Sequence, residues 1–268
     1  MTRTLVVTDL DGTLWDNDLR CHPDISAAVA EFQADDDVTL LAATGRRRNS
    51  ARKAMNVNGF VLPAILLNGA TGYDFESEAL FHQITFAQEV LAEVVGLLEG
   101  HGLGPVAYLT DTRALVVSGV TTSLRHLDSL GDDLVWSTHA ELGGRSDVMG
   151  MSMLGIDAEH VAPALAALEA DPRAEVVGYA DHLYPPFSFM VAPPGITKAV
   201  GIEAFVAHRG LEPQRVVAVG DGGNDLAMLA MADLAIAVEG ADPRALELAD
   251  VVIPRPHDGG WAQVLDYV

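Results

Sequence analysis

Hydrophobic positions along the chain gather into short unbroken runs, separated by stretches with helical spacing. Residues 4–8 read as a buried strand, and residues 24–32 repeat their apolar positions as a one-sided helix does. A second apolar run, 38–43, leads into a helix-like segment that reaches Met55, and Pro63 precedes a third run over 64–67. The rhythm returns near the C-terminus. It predicts a helix over 197–208, a strand over 216–219, a helix over 224–231, a strand over 234–238, a helix over 243–248 and a short strand over 251–253. Apolar runs alternating with helices predict parallel strands covered on both faces, in a doubly wound, Rossmann-like α/β core.

The middle of the chain is patterned differently. Strand-like runs at 106–109, 114–117, 148–154 and 175–179 are joined by helical runs at 88–98 and 158–168. This predicts a smaller α+β insertion whose sheet has one polar face. Pro185-Pro186 and Pro193-Pro194 punctuate its exit. The expected organisation is a core domain over 1–79 and 186–268, interrupted by an inserted domain over 80–185. No internal repeat or low-complexity tract breaks this picture.

Composition narrows the classes. With 268 residues, 49% of them hydrophobic, the chain can bury a sizeable core and is not a disordered polymer. No apolar run approaches a membrane span, and the first one ends at Asp9 and Asp11 rather than in a secretory pattern. The single cysteine, Cys21, reads as a passenger thiol in a reducing compartment, so a cytoplasmic location is expected. The balance of 16 basic to 38 acidic residues gives a formal charge of −22. Such a chain offers no footprint for nucleic acid and is repelled by anionic membranes. No heptad pattern specifies an oligomeric state.

Candidate chemistry collects at the ends of the predicted strands, where doubly wound sheets bind their ligands. Asp9-Leu10-Asp11-Gly12-Thr13 follows the first strand, with two carboxylates two residues apart and a glycine that lets the chain turn. Alone it reads equally as an acidic turn. Thr44-Gly45 follows the second strand and offers a hydroxyl and a helix N-terminus. Gly220-Asp221-Gly222-Gly223-Asn224-Asp225 follows the strand at 216–219 and adds two carboxylates and an amide. Lys198, one of two lysines, opens the helix after the insertion and in isolation reads as a surface residue.

Taken together, these segments resemble the four motifs of the haloacid dehalogenase-like phosphohydrolases. The match is to the Cof-type sugar-phosphatase branch, which carries a large cap between the second and third motifs. Asp9 to Thr13 looks like the first motif, Thr44 the second, Lys198 the third and Gly220 to Asp225 the fourth. Asn68-Gly69-Ala70 and Ala235-Ile236-Ala237-Val238 also resemble this branch. The motif detail covers roughly 1–75 and 186–268; the middle matches by position and size only.

The resemblance implies roles. Asp9 would attack phosphorus and form an aspartyl-phosphate, while Asp11 would protonate the leaving group and then take a proton from water. Asp9, the Asp11 backbone carbonyl and Asp221 would hold Mg2+, and Asp225 would orient its neighbours. Thr44, Gly45, Lys198 and Asn224 would hold the phosphoryl oxygens. Clustered carboxylates demand a cation, because like charges repel each other and the phosphate.

Arg46, Arg47, Arg48, Arg52 and Lys53 crowd one helix start; Arg47 and Arg48 read as a solvated face, and Arg46 is left open. His82, His101, His126, His139, His160 and His182 have no metal-ligand spacing and read as surface or structural. Trp15 reads either as a lining of the entrance or as a packed loop residue.

The expected activity is Mg2+-dependent hydrolysis of a small phosphorylated metabolite, a sugar phosphate by family analogy. A sugar phosphomutase of the same superfamily and a non-catalytic phospho-ligand sensor are the rivals. Between residues 80 and 185 stand 15 acidic and 4 arginine residues. That acidity predicts a preference for monophosphates of neutral sugars or polyols over bisphosphates and nucleoside triphosphates.

Overall fold

The apolar runs become neighbouring strands in the computed structural model, which describes residues 3–16, 18–119, 122–181 and 183–268. His182, grouped above with the other histidines, lies outside the described residues. The chain divides into two units: Met1–His82 with Thr197–Val268, and Gln83–Ile196.

In the first unit, β1 (Thr4–Thr8), β2 (Val38–Ala43) and β3 (Ala64–Leu66) run parallel, and β4 (Thr71–Asp74) and β5 (Ala79–Gln83) extend that edge, β4 lying antiparallel to β3. The second unit contributes β6 to β11, described below. The chain then returns through β12 (Arg215–Gly220), β13 (Leu234–Val238) and β14 (Val251–Ile253). These three pair in parallel on the other side of β1, giving the order β14-β13-β12-β1-β2-β3-β4-β5. Winding therefore reverses between β12 and β1, the topological switch point at which such sheets bind ligands.

Both faces of this sheet are covered, as the unbroken apolar runs require. Val6, Leu40, Ala42, Val217 and Val219 pack with α1 (Pro23–Ala34), α2 (Arg48–Val57) and the C-terminal turn that holds Trp261 and Val264. Leu5, Val7, Leu41 and Ala218 face the other way, toward α7 (Lys198–Arg209), α8 (Leu226–Met231) and α9 (Pro243–Leu248). Alternate residues of β1 thus feed two separate apolar layers.

In the second unit, β6 (Val106–Leu109), β7 (Ala114–Val117), β8 (Leu134–Ser137), β9 (Val148–Ile156), β10 (Glu175–Ala180) and β11 (Phe187–Ala192) form a sheet in the order β10-β11-β9-β6-β7-β8. The helices α3 (Gln88–Gly100), α5 (His139–Gly143) and α6 (Ala158–Glu169) cover one face, with Leu91, Leu98, Leu142, Val161 and Leu168 in its core; α4 (Leu124–Leu130) is a shorter helix. Two expectations are corrected here. The insertion does not end at 185: β11 pairs antiparallel with both β9 and β10, so the chain returns to the first unit only at Thr197. The proline pair at 185–186 enters a strand of the inserted sheet rather than leaving the unit. Nor is the second sheet face polar. Val106, Tyr108, Val116 and Met190 on it are buried, and the Tyr108 hydroxyl there bonds Ser152 Oγ and His126 Nε2.

Candidate active site

The site is built where β1, β2 and β12 end side by side. Asp9 leaves β1 with its backbone N–H donating to Val219 O at 2.9 Å. Gly12 takes φ +82°, and a Cβ there would lie 2.4 Å from Asp221 Oδ2, so the turn demands glycine for both conformation and space. Thr13 Oγ1 donates to Asp221 Oδ1 at 2.8 Å and joins the first-strand loop to the β12 loop. Gly220 is needed for a similar reason: its Cβ would lie 2.6 Å from Asp225 Cγ.

The centre of the site is a set of buried charges. Lys198, at the first position of α7, is fully buried, not the surface residue its isolation suggests. Its Nζ donates to Asp9 Oδ1 at 2.5 Å and to Asp225 Oδ1 at 2.6 Å. Burial works against the Lys198 ammonium, but Asp225 and Asp9 outweigh it and raise its pKa above the ordinary lysine value. Desolvation raises the Asp9 pKa well above the carboxylate range; Lys198 opposes this, and Asp225, Asp221 and Asp11 add to it. Asp221 is pushed up to about 7, first by desolvation and then by Asp225.

The donor set fits a hard divalent cation. Asp9, Asp221 and Asp225 each offer an oxygen within 4.8 Å of the others. Asp225 is already committed, since Oδ1 accepts from Lys198 and Oδ2 accepts the Asp221 and Gly222 N–H groups at 3.0 and 2.8 Å. Asp9 Oδ2 and Asp221 Oδ2 accept no hydrogen bond among the described residues. One ammonium against three carboxylates leaves negative charge uncompensated, and oxygen-only ligands suit Mg2+.

Around this centre, Thr44 is buried and its hydroxyl accepts the Arg46 backbone N–H at 3.1 Å, beside half-buried Gly45. Asn224 Nδ2 donates to Asn68 Oδ1 at 3.0 Å, and the Asn68 N–H donates to Thr44 O at 3.1 Å. Asn68, to which the sequence reading attached no role, therefore ties the Thr44 loop to the Asn224 loop. It does so in the left-handed region, at φ 55°.

Asp11 stands apart from the carboxylate cluster. Arg46 Nε and Nη2 donate to its two oxygens at 2.6 Å each, and Trp15 Nε1 donates to Oδ1 at 2.9 Å. Trp15 is fully buried, so it is the packed residue of the two readings. Farther along the basic run, Arg48 lies over the Tyr73 ring and Arg52 over Phe75, and Arg52 also pairs with Glu78 at 2.7 Å. The side chains of Asp9, Lys198, Asp221 and Asp225 come together. Arg46, Thr13 and Asn68 are the neighbours that motif reading alone left without a role.

The family model described as haloacid dehalogenase-like hydrolase matches residues 6–265. A phosphoglycolate phosphatase from Halorubrum lacusprofundi is 31% identical over 238 residues, covering 88% of this chain and 96% of the relative. A second, from Natronomonas pharaonis, is 26% identical over 266 residues, covering 97% of this chain and 96% of its own length. Among solved structures, a subclass IIB sugar phosphatase of the same superfamily superposes with a TM-score of 0.78 at 22% identity, covering 99% and 98% of the two chains. A haloacid dehalogenase-like hydrolase from B. subtilis gives 0.81 at 18% identity, covering 98% and 99%. The chain belongs to the haloacid dehalogenase-like hydrolases, in their phosphatase branch. Among the described residues no helix is long and apolar enough to cross a membrane.

Proposed function

We propose that the protein is a Mg2+-dependent phosphatase of small phosphomonoesters that works through an aspartyl-phosphate on Asp9. The observation that carries this reading is the buried Asp9–Lys198–Asp225 contact with Asp221 beside it. In it the Asp9 carboxylate is held by one oxygen, while the other accepts no hydrogen bond among the described residues.

Phosphoryl transfer asks the protein for position and charge more than for covalent chemistry. The Asp9 carboxylate attacks phosphorus, the P–O ester bond breaks, and Asp11 gives its proton to the departing alkoxide. Asp11 then takes a proton from water as that water attacks the aspartyl-phosphate, which restores Asp9 and releases inorganic phosphate. Lys198, the Thr44 hydroxyl, the Gly45 backbone and the Asn224 amide hold phosphoryl oxygens, and Asn68 positions Asn224. Asp9, Asp221 and the Asp11 backbone carbonyl would hold the metal, with Asp225 fixing Lys198 and the loop at 221–222. Mg2+, when bound, neutralises charge gathering on the transferring phosphoryl group.

The substrate class follows from the relatives named as phosphoglycolate and sugar phosphatases and from the acidity of the insertion. Small monophosphates, sugar phosphates first, are the preferred substrates over bisphosphates and nucleoside triphosphates. The test is release of inorganic phosphate from a panel of these compounds, phosphoglycolate included, with Mg2+ and with excess chelator. Turnover should require Mg2+ and fall by at least about 10^3-fold in a folded Asp9→Asn variant. Wild-type rates in that variant, full activity in chelator, or an isomerised sugar phosphate in place of free phosphate would each refute the assignment.

A further inference from the structure

The clamp on Asp11 has the wrong partner for a group that must reach a leaving-group oxygen. Arg46 Nε and Nη2 take both carboxylate oxygens at 2.6 Å, and Trp15 Nε1 adds a bond to Oδ1. The Arg46 side chain is only 10% exposed, and its Nη1 is held by Ser50 Oγ at 2.8 Å. A two-pronged guanidinium–carboxylate pair is charge-assisted and directional, so it fixes where both groups point. Arg46 is also two residues beyond Thr44 and bonded to the Thr44 hydroxyl through its backbone, which puts its charge on the loop assigned to phosphate.

We propose that Arg46 exchanges partners. In the ligand-free protein it holds Asp11, and a bound phosphoryl group takes the guanidinium over, since the same fork matches phosphate oxygens. Asp11 is released only when phosphate is in place. Arg46 thereby becomes both a phosphate-binding residue and the positioning residue of Asp11. The inference rests on the phosphatase reading for the role of Asp11.

The test uses the Trp15 indole N–H as a reporter, because it shares Asp11 Oδ1 with Arg46. The chain has 3 tryptophans, and the Trp15 resonance is identified by its loss in Trp15→Phe. Inorganic phosphate is titrated into the full-length protein with Mg2+, and hydrolysis of an aryl phosphate is measured in parallel. In the wild type, phosphate should move the Trp15 signal. Arg46→Met should weaken phosphate binding about tenfold, the scale of a lost charge-assisted hydrogen bond, and leave the Trp15 signal unmoved at saturation. Arg46→Lys keeps the charge without the fork. It should recover part of the phosphate affinity, with the Trp15 signal already displaced before phosphate is added.

A wild-type Trp15 signal indifferent to saturating phosphate overturns the exchange. So does an Arg46→Met protein with wild-type phosphate affinity. Aryl phosphate turnover with an unmoved signal removes the exchange alone. A moving signal without turnover removes the phosphatase reading and leaves the exchange standing.

Discussion

The two units bury polar groups in opposite ways. In the first, one buried cluster is made of charges: Lys198 between Asp9 and Asp225, with Asp221 next to them. In the second, one buried cluster is made of hydroxyls around one imidazole. The Tyr108 hydroxyl bonds His126 Nε2 at 3.1 Å and Ser152 Oγ at 2.7 Å, and Thr122 Oγ1 meets His126 Nδ1 at 2.6 Å. On its helices Glu89, Glu93, Glu99, Asp157 and Glu159 are exposed, while Asp181 is buried and accepts the Leu183 and Tyr184 backbone N–H groups at 2.8 Å each. A closed network of hydroxyls is satisfied by its own members and specifies packing. A buried cluster with more carboxylates than cations is incomplete without a ligand, and that incompleteness marks a site.

The largest effect should come from breaking the charged cluster. Lys198→Met leaves Asp9 and Asp225 buried without their cation, which costs about 3–5 kcal/mol. Urea unfolding of the metal-free variant should register that loss, and phosphatase turnover should vanish. Asp9→Asn should behave differently, losing turnover while the metal-free protein stays at least as stable as wild type, because a carboxylate that burial disfavours is gone. Equal destabilisation by both substitutions would mean that the cluster is a balanced structural ion pair rather than an incomplete site.

The same contrast governs how much could be read from the sequence. The carboxylates of the first unit are legible because Asp9 to Thr13 and Gly220 to Asp225 are contiguous and follow strong apolar runs. Lys198 is legible only through the resemblance, since a lone lysine carries no signal of burial. Arg46 stands out within a basic run, but its partner is 35 residues away. Their meeting depends on β1 lying beside β2, with Thr8 opposite Ala42. The second unit hides its logic further. Tyr108, Thr122, His126 and Ser152 are drawn from β6, the segment before α4, α4 itself and β9, and no spacing links them. A proline pair reads as a boundary, so the sequence places residues 187–192 in the core, whereas the register with β9 and β10 puts β11 in the second unit.

A smaller effect should come from the neutral network. Tyr108→Phe removes the hydroxyl that His126 and Ser152 share, and leaving buried polar partners unsatisfied costs about 1–3 kcal/mol. The midpoint of urea unfolding should fall accordingly, while kcat for a generic aryl phosphate with Mg2+ holds at the wild-type value. A loss of kcat without a change in unfolding would place Tyr108 in the chemistry and erase the contrast between the units.

The smallest and most diagnostic effect is one of pH on metal binding. Asp221 is pushed up to about 7 by desolvation and then by Asp225, whereas in an unfolded chain an aspartate titrates near about 3.9. Between those values the folded protein holds a proton that the unfolded chain has released. Stability of the metal-free protein therefore falls as pH rises through this window, and levels off above about 7. Asp9, also raised, acts in the same direction. A divalent cation needs these carboxylates ionised, so it competes with the proton and stabilises only the folded state. The rise in Tm on adding Mg2+ should be larger at pH 8 than at pH 6, by about 2–4 °C for each kcal/mol gained in a chain of this size. In Asp221→Asn there is no carboxylate to titrate at that position, so the difference between the two pH values should shrink. An Mg2+ effect of equal size at both pH values in the wild type would mean that the ion binds away from Asp9 and Asp221, and that the buried charge of the first unit is structural after all.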